Sequence, residues 1–72
     1  MDHADIEPRR GLTAVIDTLV EAEISLFSAQ SVMSDSSLAD RPGYESIERH
    51  IGVALASARA ALAEAHHKLH RL

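Results

Sequence analysis

Cysteine and tryptophan are missing from this 72-residue chain, and its aromatic content is one Phe and one Tyr. Without cysteine there is no disulfide staple, and the redox compartment is left open. A chain this short buries a small fraction of its surface and needs a staple of some kind, which leaves oligomerisation. So few aromatic anchors also tell against a compact monomeric core, since the apolar content is almost all Ala, Leu, Ile and Val. Basic residues are in deficit too, with seven Lys and Arg against eleven Asp and Glu. A phosphate backbone is met by the opposite balance, so a nucleic-acid partner is disfavoured.

Further absences bear on chemistry and location. The three glycines do not form a phosphate-cradling loop, and the serines of residues 34–37 sit outside any Gly-x-Ser-x-Gly turn. With no cysteine either, no nucleophilic triad can be drawn, and neither enzymatic activity nor a cofactor is expected. Asp17, Glu21 and Glu23 are spread along one helix and read as a solubilising face. No apolar run is long enough to span a bilayer, and Met1-Asp2-His3-Ala4-Asp5 lacks the basic start and apolar stretch of a signal peptide. The expectation is a soluble, cytoplasmic protein with no membrane partner.

What the chain does have is a heptad repeat, occurring twice. From Ile47 to Leu72, Leu55, Leu62 and Leu69 recur every seventh residue at position a, with Ile51, Ala58 and Ala65 at d. Earlier, Leu12, Leu19, Leu26 and Met33 repeat a, with Val15, Ala22 and Ala29 at d. Large residues at one seam position and small ones at the other let two helices pack closely. Between the two repeats, Ser34 to Gly43 replaces the apolar period with Ser, Asp, Pro and Gly. These residues break helices, and Pro42 disfavours the α conformation at Arg41.

The predicted fold is all-α. It is a single helical-hairpin domain over residues 1–72, with a first helix at about 8–34, a loop at about 35–42 and a second helix at about 43–70. Residues 1–7 read as a frayed lead-in, and Pro8 as a first-turn residue whose missing N–H costs nothing there. Asp40 is the candidate N-cap of the second helix, with Ser37 capping an extra turn before it. An antiparallel register that sets Leu26 opposite Ile51 also pairs Ala22 with Leu55, Leu19 with Ala58, Val15 with Leu62 and Leu12 with Ala65. Large meets small in almost every layer. The pattern resembles the helical-hairpin dimers of the Rop type, whose layers also mix Ala and Leu. That resemblance is one of architecture, and it implies two hairpins dimerising into a four-helix bundle.

A lone hairpin leaves apolar rows in water, so self-association is expected along the seam formed by Leu12, Leu19, Leu26, Leu55, Ala58, Leu62, Ala65 and Leu69. The first helix carries a second stripe, Ile16, Val20, Ile24 and Phe27, at i, i+4, i+8 and i+11. It either completes the dimer core or docks a protein partner. The expected function is that of a non-enzymatic protein-interaction or assembly module acting as a homo-oligomer, and two further readings compete with it. One is a nucleic-acid-binding hairpin dimer working through Arg9, Arg10, Arg49 and Arg59. The other is a metal binder, because His66 and His70 lie one turn apart, with His3, Asp5 and Glu7 brought toward the same end. A metal is not favoured: cationic groups in a last turn complement the helix dipole unaided, and the zincin pattern wants Glu where His67 stands. Glu48, at a seam position near the loop, is expected to be partly wet or paired with an Arg such as Arg41, and His50 to be solvated.

Overall fold

The computed structural model describes the backbone of residues 3–72 and the side chains of residues 7–38 and 40–72. Two helices, α1 (His3–Asp35) and α2 (Glu45–His70), pack against each other as a hairpin, with one 3₁₀ turn (Leu38–Asp40) between them. The molecule is a rod of 57 × 14 × 14 Å. Among the described residues no helix is long and apolar enough to cross a membrane.

On α2 the heptad reading is visible residue by residue. From position 53 to 70 the side chains withdrawn from solvent are Leu55, Ala58, Leu62, Ala65 and Leu69, the a and d positions, and all the others are exposed. On α1 the phase differs from the expected one. Leu12, Leu19, Leu26 and Met33 do face inward, but Val15, assigned to the seam, is 47% exposed, while its neighbour Ile16 is 8% exposed. Ile16, Glu23 and Gln30 recur every seventh residue on the inner side, so the face turned to α2 is rotated by about one residue at the N-terminal end of the hairpin. The core is Ile16, Met33, Leu55, Ala58 and Ala65. No side chain among the described residues is fully buried.

The helix boundaries depart from expectation at the start of α1 and around the connection. Helix α1 begins at His3, so Pro8 lies inside it and residues 3–7 are helical; Met1 and Asp2 lie outside the described residues. Pro8 removes the bond its N–H would give the Ala4 carbonyl, a loss of one rung with the ladder continuing on both sides. Glu7 falls in the early turns, where negative charge favours the positive end of the helix.

In the connection, Ser37 (φ 60°, ψ 23°) does precede an extra turn, but its side chain makes no capping bond. Asp40 ends that turn and does not cap α2; the residue before α2 is Tyr44. The cause is Pro42-Gly43. Arg41 is extended (φ −80°, ψ 139°), the conformation favoured before proline, and Gly43 takes φ +87°, so three residues, Pro42 to Tyr44, separate Arg41 from the helix. The Gly43 N–H donates to Glu45 Oε2 at 3.1 Å, and Ser46 Oγ donates to the Gly43 carbonyl at 3.4 Å. At the other end His67, Lys68 and His70 lie in the last turn of α2 and complement its negative pole.

Candidate interaction surface

Between Leu12 and Ala29, apolar side chains run from Val15 around to Ile24 over about half the circumference of α1, interrupted by Thr13 and Glu23. One neighbouring helix covers roughly a 100° stripe. The remainder is left in water. Val20, Ile24 and Phe27 are exposed, Ile24 by 60% and Phe27 by 55%, whereas Ile16, the fourth member of the stripe, is part of the hairpin core. The stripe therefore divides into one inward residue and three outward ones.

The exposed part has relief. Ile24 and Phe27 line a groove of 210 Å³ together with Glu23, Ser28 and, from the other helix, Arg59. Arg59 Nε donates to Glu23 Oε2 at 3.0 Å, the one ion pair among the described residues. Both partners are partly solvated, so the pair is worth roughly 0–1 kcal/mol and matters more as an orienting contact. It marks which edge of α2 borders Ile24 and Phe27. This contact was not anticipated from the sequence, although Glu23 sits seven residues after Ile16, in the phase the helix adopts. On the opposite flank of α1 a second groove, of 360 Å³, is lined by Ala14, Val15, Thr18 and Leu19.

The remaining candidates are dispersed. Arg9, Arg10, Arg49 and Arg59 are all exposed, the first two in the early turns of α1 and the others on α2. Asp17 and Glu21 lie exposed along α1, and His50 is exposed on α2. Glu48 is half-buried, and it forms no ion pair with Arg41. His66 and His70 are exposed, and among the described residues no three His, Cys, Asp or Glu side chains stand close enough to hold a metal ion. The side chains of His3 and Asp5 lie outside the described residues. No family model matches the chain, and neither the curated proteins nor the solved structures contain a match to it.

Proposed function

We propose that this chain is a non-enzymatic assembly module, a helical hairpin that works as a homo-oligomer by completing its apolar surface with further helices, a four-helix bundle being the simplest closed form. The observation that carries the reading is surface in excess. A folded monomer of this mass exposes about 4,400 Å². The hairpin exposes 5375 Å². The surplus, about 1,000 Å², is close to what one partner contributes to a stable protein interface. Shape agrees, since a globular domain of this length has a radius of gyration of about 11 Å and the hairpin has 16.5 Å. The exposed surface includes Val20, Ile24 and Phe27, and the aromatic Phe27 is of a type enriched at protein interfaces.

Light scattering tests this directly. The expected mass is at least twice the 7.8 kDa of the chain, with an unfolding midpoint that rises with protein concentration. A monomer with a concentration-independent midpoint would sink the proposal.

A further inference from the structure

The groove shared by Ile24, Phe27 and Arg59 shows that this edge of α2 lies on the same side of the rod as the exposed α1 stripe. Gly52, Ala56 and Ala63 stand at i−7, i−3 and i+4 from Arg59 and so occupy that edge. One side of the rod thus carries large apolar residues on α1 and, on α2, a row of small ones interrupted by Arg59. Ala56 and Ala63 are exposed, and a Cβ built on Gly52 meets nothing within 4 Å. Nothing inside the hairpin requires glycine there, in the middle of a helix where glycine is unfavourable.

We infer that this side is the self-association face, and that two hairpins pair across it about a two-fold axis parallel to the rod, Phe27 and Ile24 of each copy seating on Gly52 and Ala56 of the other. The inference rests on the self-association reading and adds the face, the orientation and the socket to it. Its occupant is a second copy because the face is self-complementary. A two-fold axis along the rod lays α1 of one hairpin over α2 of the other, so that Phe27 and Ile24 meet small residues while Val20 falls beside Arg59, and the match occurs twice. A two-fold axis across the rod would lay α1 on α1 and α2 on α2, large on large and small on small. The surplus of about 1,000 Å² per chain is of the size that such a face needs to bury.

Charge opposes this orientation weakly. The loop end carries Asp35, Asp40, Glu45 and Glu48 against Arg41 and Arg49, and an axis along the rod brings two such ends together. These groups are on or near the surface, and their repulsion is screened within about 8 Å at physiological salt. Packing therefore decides the orientation, and added salt should tighten the dimer.

The test uses the full chain. Phe27→Ala and Gly52→Leu should each weaken the dimer at least tenfold by light scattering. Helix content should hold in both, because Phe27 is exposed in the hairpin and Leu is a better helix former than Gly. The double variant, which exchanges large for small across the interface, should recover part of the loss. As the chain has no cysteine, a spin label on Ser36→Cys reports the loop-to-loop distance in the dimer. The expected distance is under half the 57 Å length of the rod. A wild-type monomer would overturn the self-association reading and this geometry with it. A wild-type dimer that is indifferent to Gly52→Leu, or whose labels stand a rod length apart, would overturn the geometry alone.

Discussion

Leu55 keeps 4% of its surface exposed, the least of the five core residues, and Ala58 faces the same helix one turn further on. Their sizes set opposite sensitivities. Leu55→Ala removes the branched end of a buried side chain, a methine carbon and two methyl groups, and leaves a gap, which should cost roughly 2–5 kcal/mol. Ala58→Leu adds volume at a buried position and should cost roughly 1–3 kcal/mol. Denaturant titration of the two variants measures both, and silence in both would mean that the seam on α2 is not the packing surface. The α2 seam was legible because Leu and Ala alternate there without competitors. On α1 the choice between Val15 and Ile16 was not legible. Two aliphatic residues in adjacent positions satisfy a heptad in either phase, and only the placement of α2 decides between them.

The elements show the same division between what periodicity carries and what it does not. Two long helices and a single interior break follow from apolar spacing and from a run of Ser, Asp, Pro and Gly. The details of the break depend on backbone angles that residue type only constrains. Gly43 at φ +87° is the position with least freedom to change: Gly43→Ala should lower stability by roughly 1–2 kcal/mol, since an L side chain is disfavoured in that region. Thermal unfolding followed by circular dichroism checks it. Pro8 makes the reverse case. Placed inside α1, it costs one backbone bond, so Pro8→Ala should raise helical ellipticity and stabilise the chain by up to about 3 kcal/mol, the cost of a proline in a helix interior. If α1 began after Pro8, the substitution would change little. Residue type alone points to a helix start at Pro8, because the first turn is where proline is free of cost. Whether one lost bond is outweighed by the rest of a 33-residue ladder is not legible in a single position.

For the molecule as a whole, the stripe on α1 was legible as surplus apolar surface, but its division into Ile16 inside and Val20, Ile24 and Phe27 outside was not, because it follows from the phase that α2 imposes. A slender outline has a hydrodynamic consequence as well. Friction on a rod in water is governed mainly by its length and only weakly by its girth. Two hairpins lying side by side keep the 57 Å length and only thicken the 14 Å waist, so doubling the mass slows diffusion slightly less than it would for spheres. Joined end to end, the same two hairpins would double the length and slow diffusion far more. The frictional ratio from sedimentation velocity should therefore fall when the hairpins pair along their sides and rise if they join at their ends.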